Sequence, residues 1–308
     1  MPSANFVDML EVLRAKRTGA RAWVACCPSH DDHSPSLTIY EGDKGQPLFV
    51  CGRCEWRDVR DALRERGCKI VAPKKRGAKG DVAEVPVRQA VVLAAPDFSG
   101  AALKLWQQSV CGRGTPVEAY LRGRGLGAAL DLCPDILSRS LRFHAACPRG
   151  RGTEAVRLPA MLALMRDVAT DKPVAIHRTF LDGDARKHGK PMMLGPCEHA
   201  AVKLSSHSAC FPSPLGLCAK LHVAEGIETA LAAMMLGYAP MWALGSAGAI
   251  ERFAVIEDVL ELCVCADHDK VGRHAAAIAR ANWWFAQREA EVLLPAKAGC
   301  DFADLVAP

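Results

Sequence analysis

The chain has 308 residues, half of them hydrophobic, and a formal net charge of +5, which suits two or three domains with buried cores and a polyanionic partner. Its first residues lack the apolar core of a signal peptide, no apolar run is long enough to span a bilayer, and no P-loop motif is present. These features argue against a secreted protein, a membrane protein and a P-loop motor, and we expect a cytoplasmic protein whose 14 cysteines are mostly reduced.

Residues 1–68 carry two pairs of metal-ligand residues on either side of a predicted hairpin. Two residues separate Cys27 from His30 in the first pair and Cys51 from Cys54 in the second. Three thiolates and one imidazole at this spacing form a closed tetrahedral Zn²⁺ site, which is structural rather than catalytic. Between the pairs, SLTIY and PLFVC alternate as strands with EGDKG as the turn, so the segment is predicted to be a zinc ribbon.

Neighbouring residues leave another ligand set open. Cys26 and His33 could replace Cys27 and His30, but Cys26 has Ser29 rather than a second ligand at the C-x-x spacing. The remaining alternative is that the four residues are incidental in a thiol-rich chain. Because so small a module has too little core to fold well alone, zinc is expected to hold it together.

A predicted helix in VRDALRERG ends this module, and residues 69–96 then run on with Pro, Gly, Lys and Arg but little periodicity. This composition is typical of a flexible linker. A small basic cluster lies within it, at Lys74, Lys75, Arg76 and Lys79. A solvated linker is the favoured interpretation of the cluster, and a phosphate-binding segment is the alternative.

Residues 97–219 are predicted to form an α+β domain. A capping box, TPVE at residues 115–118, starts a short helix after an earlier helical segment. The strand-like segments SLRFH, AMLALMRD, PVAIHRTFLD and AVKLS follow, with a hairpin turn at Asp182. Cations suited to phosphate contacts lie at the end of the helix and around the hairpin: Arg122, Arg124, His177, Arg178, Arg186 and Lys187. An ordinary charged sheet face is the alternative.

Residues 220–308 alternate between apolar strands and Ala-rich helices, which predicts a parallel sheet with helices packed on both faces. The strands are predicted at LHVAEG, MWALGS, ELCVCAD and AEVLLPA, and the helices at IETALAAMML, AIERFA and RHAAAIARANWWFAQR. CVCA is a continuous apolar run, as expected of a buried central strand, so Cys263 and Cys265 are assigned to the core. The whole chain is thus predicted to be a multi-domain α/β protein.

Three acidic clusters occur in this last domain. They consist of Glu225 with Glu228, Asp267 with Asp269, and Asp301 with Asp304. The first two clusters follow predicted strands, and the carboxyl ends of parallel strands meet at one edge of a sheet. The carboxylates are therefore expected to converge on a hard divalent cation, Mg²⁺ above all, whereas the alternative is that the aspartates only cap helices. Gly226 and Gly272 are predicted to let the backbone turn or approach a ligand closely.

Aromatic residues offer weaker signals. Trp283, Trp284 and Phe285 could stack nucleic-acid bases, but their helical context favours a core or interface position. A topoisomerase would need a strand-cleaving tyrosine, and none of the three tyrosines lies in a motif that indicates this role: Tyr40, Tyr120 and Tyr238.

The motifs resemble those of one group of replication enzymes. CPSHDDHSPSL followed by FVCGRC resembles the CHC2-type zinc ribbon of bacterial and phage DNA primases. GTPVEAYLRGRGL, LRFHAACPRG, LPAMLALMRD, AIHRTFLDGDARK and AVKLS occur in the order seen in phage and plasmid primase cores. Glu225-Gly226 and Asp267-His268-Asp269 resemble the TOPRIM domain of primases, topoisomerases and related nucleases. The resemblance spans nearly the whole chain, with the linker as the main gap.

The resemblance implies roles for individual residues. Glu225 would act as general acid/base or metal ligand, and Asp267 and Asp269 would bind Mg²⁺ or Mn²⁺. Asp301 and Asp304 would join the metal site or orient its water. In this family the ribbon contacts the single-stranded template and helps to choose the start site.

The resulting hypothesis is a DNA primase of a phage, plasmid or similar mobile element, which joins NTPs into a short RNA primer on single-stranded DNA. Lys270 would offset the charge of the acidic cluster or contact a phosphate. Structural Zn²⁺ and catalytic Mg²⁺ or Mn²⁺ are the expected cofactors, and a separate replicative helicase is the expected partner because no motor is evident. The alternatives are a TOPRIM nuclease and a non-catalytic zinc-ribbon replication factor that binds single-stranded DNA. The intact Glu225 and the paired aspartates count against an idle fold.

Overall fold

A computed structural model describes residues 4–18, 22–33, 35–41, 47–51, 54, 56–70, 100–150, 154–205 and 218–306. The predicted linker from residue 71 onward, its basic cluster and most of the predicted EGDKG turn lie outside these ranges. No helix among the described residues is long and apolar enough to cross a membrane.

The N-terminal module is a four-stranded antiparallel sheet with a helix at each end of the segment. Its elements are α1 (Ala4–Val12), β1 (Lys16–Arg17), β2 (Ala22–Ala25), β3 (Leu37–Glu41), β4 (Pro47–Cys51) and α2 (Trp56–Glu65), and the strand order is β1-β2-β3-β4. The predicted pairing of SLTIY with PLFVC and the closing helix are confirmed. Phe6 of α1, Ile39 of β3 and Leu63 of α2 are fully buried, so both helices pack on the sheet around one small core.

The middle segment contains short helices followed by long antiparallel strands. Its elements are α3 (Gly100–Gln108), β5 (Val110–Cys111), α4 (Pro116–Gly123), α5 (Gly127–Leu132), α6 (Ile136–Arg139), β6 (Leu141–Arg149), β7 (Val156–Asp167), β8 (Pro173–Phe180), β9 (Met192–Leu194) and β10 (Ala200–Lys203). Helix α4 begins where predicted, with Thr115 as its N-cap and Pro116 as its first residue. The Glu118 carboxylate accepts a hydrogen bond from Gly114 N at 2.8 Å rather than from the N-cap residue, so the capping box is displaced by one residue.

The C-terminal segment has the predicted alternation of strand and helix. Its elements are β11 (Cys218–Ala224), α7 (Ile227–Met235), β12 (Met241–Ala243), α8 (Ala247–Glu251), β13 (Val259–Cys265), α9 (Lys270–Phe285), β14 (Glu289–Leu293) and a 3₁₀ turn (Ala303–Leu305). Strand β11 pairs in parallel with β12 and β13, and β13 pairs in parallel with β14. The parallel sheet predicted for this domain is therefore confirmed.

Helices cover both faces of the parallel sheet. Val223 and Val264 pack with residues of α8 and α9 on one face, whereas Cys263 and Cys265 pack with α7 and with helices of the middle segment on the other. Both cysteines have no exposed surface, as predicted for a buried central strand. Trp283 is also fully buried, and its ring stacks on that of Phe253.

The middle and C-terminal segments share one ten-stranded sheet. Strand β10 pairs antiparallel with β7 on one side and with β12 on the other, which gives the order β14-β13-β11-β12-β10-β7-β6-β5. Strand β8 also pairs with β7, and β9 pairs with β8. The domain boundary predicted at residue 219 thus separates two parts of one continuous sheet, and this sheet fixes the position of the hairpin region relative to the acidic residues.

Candidate metal sites and active-site cleft

The four predicted zinc ligands come together in the N-terminal module. The ligand atoms of Cys27, His30, Cys51 and Cys54 all lie within 4.8 Å of one another, and no other group of three or more possible ligands in the described ranges is so compact. His30 Nδ1 lies 3.1 Å from Cys54 Sγ and 3.9 Å from Cys51 Sγ. Burial and the two neighbouring thiols raise the pKa of Cys27 to about 12, so ionising this thiol is unfavourable in the metal-free protein. A bound cation would stabilise the thiolate and remove that cost. The donor set therefore fits Zn²⁺.

The alternative ligands point away from this cluster. Cys26 is exposed, and the exposed His33 lies 3.3 Å from Asp31. Asp32 was not singled out from the sequence, but it organises the knuckle, because its Oδ2 accepts hydrogen bonds from Cys27 N at 2.6 Å and from the Ser36 hydroxyl at 2.7 Å. Its only sequence signal was its place inside the CPSHDDHSPS motif.

The carboxylates of the C-terminal domain line an open cleft at the carboxyl edge of the parallel sheet. Glu225 follows β11 directly, and Asp267 follows the neighbouring strand β13, so the register of the two parallel strands places them side by side. Asp301 completes the acidic wall. The cleft has a volume of about 720 Å³, and the opposite wall is formed by residues of the middle segment: Ala119, Tyr120, Gly123, Arg124, Asp184, Ala185, Arg186 and Lys187.

The acidic wall carries mutual repulsion that a divalent cation would relieve. Burial and the charges of Glu225, Asp301 and other nearby carboxylates raise the pKa of Asp267 to about 7. Burial and the charge of Asp269 also raise the pKa of Glu225, although a hydrogen bond from the Ala247 backbone opposes this. Asp267 Oδ1 is buried and has no hydrogen-bond partner among the residues that the structure describes. Oxygen ligands with this environment fit Mg²⁺ or Mn²⁺.

The other aspartates of the acidic clusters have structural contacts as well. Asp269 is the N-cap of α9, since its Oδ1 accepts a hydrogen bond from Gly272 N at 2.7 Å. Asp301 and Asp304 each accept a hydrogen bond from the backbone N–H of the other, at 3.0 and 2.9 Å. This exchange fixes the 3₁₀ turn and leaves Asp301, but not the exposed Asp304, on the wall of the cleft. Metal binding by the carboxylates of these clusters stays a prediction.

Gly272 is required by the path of the backbone at this site. A Cβ atom at this position would lie 2.5 Å from the Asp267 carbonyl oxygen and 3.1 Å from the Asp267 Cβ. Only glycine therefore allows the first turn of α9 to pack against the segment that presents Asp267. The close approach at Gly272 is to the backbone of Asp267, and approach to a ligand stays a prediction; a Cβ at Gly226 would meet only ordinary contacts.

Glu228 connects the two walls of the cleft rather than facing the other acids. Its Oε1 accepts a hydrogen bond from the Tyr120 hydroxyl at 2.5 Å and another from the Lys187 ammonium at 3.2 Å. Burial raises the pKa of Glu228, but Lys187 and Tyr120 together bring it below its ordinary value, so the carboxylate is ionised. Tyr120 was not predicted to be at the site, because it lies 108 residues before Glu228 and the sequence around it indicated only a capped helix.

The hairpin that carries Lys187 has a wider turn than predicted. Asp182 Oδ1 accepts hydrogen bonds from Asp184 N at 3.0 Å and Arg186 N at 2.8 Å. Asp182 N donates in turn to Arg186 O at 2.9 Å. This side-chain bonding replaces a two-residue turn by a loop from 182 to 186, and it presents Arg186 and Lys187 to the cleft.

The predicted cations fall into two groups in the structure. Arg124, Arg186 and Lys187 line the cleft. The other predicted cations lie elsewhere. Arg122 forms ion pairs with Asp131 and Glu118, and Lys270 is exposed at the start of α9.

Two predicted cations of β8 are buried. Arg178 is 4% exposed and donates a hydrogen bond to Pro148 O at 2.8 Å. Burial lowers the pKa of His177 to about 4, so its ring is neutral near pH 7, and the interpretation of His177 as a cation is wrong.

Comparisons with known proteins identify two parts of the chain. Residues 97–204 match a domain of unknown function (DUF7146), and residues 220–307 match the Toprim domain. A comparison with curated proteins found no match.

Solved structures of several primases are similar to this chain at low sequence identity. A DNA primase domain from Pseudomonas aeruginosa is 17% identical with a TM-score of 0.46, and the match covers 67% of this chain and 73% of that one. The zinc-binding and RNA polymerase domains of Aquifex aeolicus primase are 14% identical with a TM-score of 0.45, covering 99% and 80%. The primase fragment of the bacteriophage T7 primase-helicase protein is 14% identical with a TM-score of 0.33, covering 91% and 93%.

Proposed function

We propose that this chain, whose residues 220–307 form a Toprim domain, is a DNA primase that makes short RNA primers on single-stranded DNA by metal-dependent nucleotidyl transfer. It would serve the replication of a phage, plasmid or similar mobile element in the cytoplasm, beside a separate replicative helicase.

The observation that carries the proposal is a single cleft with opposite charges on its two walls. The Toprim carboxylates Glu225 and Asp267 form one wall, and Arg124, Arg186 and Lys187 of the preceding segment face it. Nucleotidyl transfer needs both walls, because metal-binding carboxylates must lie beside cations that hold the phosphates of the incoming nucleotide. The shared sheet keeps the two walls in register.

The residues have distinct roles in this reaction. Mg²⁺ or Mn²⁺ bound by Asp267, Asp269 and Asp301 would lower the pKa of the attacking 3′-hydroxyl and neutralise charge on the phosphates. Glu225, with its raised pKa, takes the proton of that hydroxyl or contributes a further ligand.

The opposite wall holds the nucleotide. Arg124, Arg186 and Lys187 bind phosphate oxygens by charge-assisted hydrogen bonds. Glu228 holds the Lys187 ammonium at the rim of the cleft, and the Tyr120 hydroxyl donates to the same carboxylate oxygen of Glu228.

The N-terminal module would bind the template. The Cys27, His30, Cys51 and Cys54 cluster would hold Zn²⁺, which would fix the two knuckles of the ribbon. Its strands are too few to form a stable core without that crosslink, so metal binding and folding of the module are coupled.

Primer synthesis tests the proposal directly. The full chain is incubated with single-stranded DNA, labelled NTPs and Mg²⁺ or Mn²⁺, and the products are separated by size. We expect primers from the wild type and none from Glu225→Gln or Asp269→Asn. Asparagine can still cap α9 through its side-chain oxygen, so loss of activity in Asp269→Asn reports the missing charge rather than the missing cap. Asp258→Asn, an exposed residue before β13 at the opposite edge of the sheet, is the matched control.

Other outcomes identify the alternatives. Cleaved DNA without primers, lost in the same two variants, would indicate a Toprim nuclease. Binding of single-stranded DNA with neither product would indicate a non-catalytic replication factor. Primers that persist in Glu225→Gln and Asp269→Asn would contradict the assignment of the cleft as the active site.

A further inference from the structure

A recess adjoins the active-site cleft and shares part of its lining. Lys187, Glu225, Gly226 and Glu228 line both spaces, so a ligand bound at the acidic wall can extend into the recess. The recess has a volume of about 170 Å³. A cavity of about 150 Å³ is large enough for one six-membered ring. The recess therefore suits a single ring-sized group rather than a whole nucleotide.

The floor of the recess is one face of the sheet, at the junction of its two parts. Val202 of β10 pairs with Ala243 of β12 and with Met165 of β7, and all three residues line the recess. His177 of β8 lies on the same face, because it is two residues from Ala175, the partner of Met165. The sheet therefore presents an apolar surface that contains one polar side chain.

The hydrogen bonding of His177, that polar side chain, is incomplete. The residue is 8% exposed, and its Nδ1 atom is buried with no hydrogen-bond partner in the part of the chain that the structure describes. A buried polar atom of this kind is unfavourable unless a bound molecule supplies its partner. A hydroxyl group both donates and accepts, so it suits either tautomer of the uncharged ring. A ligand hydroxyl is therefore the partner that fits best.

The charges around the recess favour an uncharged group within it. Its lining contains two carboxylates, those of Glu225 and Glu228, and one ammonium, that of Lys187, which lies 3.2 Å from Glu228. The carboxylates would repel a phosphate, whereas the arginines that suit a phosphate, Arg124 and Arg186, line the main cleft and not the recess. A sugar ring is uncharged, carries hydroxyl groups and has carbon atoms that can pack on the apolar floor.

The proposed reaction brings a sugar to this point. In that reaction the α-phosphate of the incoming nucleotide lies at the acidic wall of Glu225 and Asp267. The ribose is bonded to this phosphate through one oxygen, so its ring must lie close to the same wall. The recess begins at Glu225 and has the size of one ring.

We propose that the recess binds the ribose of the incoming nucleotide and that Nδ1 of His177 forms a hydrogen bond with one of the ribose hydroxyl groups. This inference rests on the proposed function of the cleft, and it adds a residue that recognises the sugar. A contact with the 2′-hydroxyl would select ribonucleotides over deoxyribonucleotides. A contact with the 3′-hydroxyl would select nucleotides that can be extended.

Nucleotide binding without template tests this contact apart from catalysis. Dissociation constants of ATP, 2′-deoxy-ATP and 3′-deoxy-ATP are measured by equilibrium dialysis with Mg²⁺ on the full, zinc-loaded chain. His177→Leu and His177→Phe remove both ring nitrogens, whereas His177→Asn keeps a polar atom at the position of Nδ1. The matched control is His144→Leu, which replaces a histidine of β6 that is also 8% exposed and lines neither space.

The sugar preference and its loss decide the proposal. We expect the wild type to bind one of the deoxy analogues roughly three- to tenfold more weakly than ATP, the effect of one lost hydrogen bond. The analogue that binds weakly identifies the hydroxyl group. The preference should disappear in His177→Leu and His177→Phe and remain in His177→Asn and His144→Leu. The second apolar variant keeps the test valid if the first fails to fold.

Three results would overturn the contact. The wild type could bind all three nucleotides equally, or the preference could persist in an apolar variant. Loss of the preference in His177→Asn as well would show that the shape of the ring, rather than a hydrogen bond, selects the sugar.

Primer synthesis on the same proteins separates this inference from the proposed function. A wild type that makes primers but binds the three nucleotides equally refutes the sugar contact and leaves the primase activity standing. A wild type that shows the preference but makes no primers refutes the primase activity and supports the sugar contact.

Discussion

Asp267→Asn is expected to stabilise the metal-free protein at neutral pH, although it removes a residue of the proposed active site. The pKa of Asp267 is raised from 3.8 to about 7, first by burial and then by the neighbouring carboxylates. The folded state therefore holds this proton more tightly than the unfolded state. The free energy of unfolding therefore falls as the pH rises from about 4 to about 7. Above pH 7 the protein carries the full destabilisation from the ionised Asp267. Asparagine carries no charge and avoids the cost.

The size of this effect follows from the shift and from the exposure of the group. A pKa change of this size is worth about 4 kcal/mol for a fully buried carboxyl group. Solvent reaches the half-buried Asp267 and screens the charges of its neighbours. We therefore expect Asp267→Asn to raise the free energy of unfolding by about 1–2 kcal/mol. For a chain of this length the melting temperature should rise by about 2–3 °C.

The assay compares melting temperatures at pH 5 and pH 8, with and without Mg²⁺. At pH 8 without Mg²⁺ the variant should melt above the wild type, and at pH 5 the difference should shrink. With Mg²⁺ the order should reverse, because only the wild type gains the binding free energy of the ion. Asp258→Asn, exposed and distant from the cleft, should change neither comparison. A variant that melts below the wild type at pH 8 without Mg²⁺ would show that the carboxylate makes favourable contacts, and the argument from repulsion would fail.

Three further substitutions test other parts of the structure. Tyr120→Phe removes a hydrogen bond to the ionised Glu228 and should lower the free energy of unfolding by about 1–2 kcal/mol, as measured by thermal melting. In primer synthesis it should raise the KM for NTPs more than it lowers kcat. An unchanged KM would contradict the positioning role of this bond. Cys51→Ser should release zinc and unfold the N-terminal module only, with the Toprim domain still melting as before; unchanged zinc content by atomic absorption would refute the ligand assignment. Gly272→Ala should lower the free energy of unfolding by about 1–3 kcal/mol, because its Cβ would lie 2.5 Å from a carbonyl oxygen. If the variant melts at the same temperature as the wild type, the first turn of α9 can shift to make room.

The features that could be predicted from the sequence are those set by local spacing. The zinc ligands are paired at two-residue intervals around a hairpin, so their convergence needs little long-range information. The acidic wall follows from two buried strands that each end in a carboxylate, because neighbouring parallel strands end at the same edge. The match of residues 220–307 to the Toprim domain confirms the interpretation that these residues suggested.

The features that could not be predicted depend on burial and on distant pairing. His177 and Arg178 of strand β8 were expected to contact phosphates, with an ordinary charged sheet face as the alternative. Nearly every residue of the strand is buried, so His177 is neutral and Arg178 donates to backbone carbonyls. The four-residue strand β10 joins the two parts of the sheet through pairing with β7 and β12, which no periodicity in its own sequence indicates. Tyr120 reaches the site only because of that junction.

The wall opposite the carboxylates is our reason for proposing polymerisation rather than cleavage. Carboxylates at the edge of a Toprim sheet can hold cations for several reactions on phosphates. A nucleoside triphosphate carries more negative charge than a single phosphodiester, so its binding requires cations in addition to the metal. In the proposed reaction Arg124, Arg186 and Lys187 would provide these cations, and Glu228 compensates only one of the three through its contact with Lys187. Substitution of both Arg124 and Arg186 by glutamine should therefore raise the KM for NTPs far more than it weakens binding of single-stranded DNA. Equal effects on the two ligands would instead indicate that this wall binds the DNA strand.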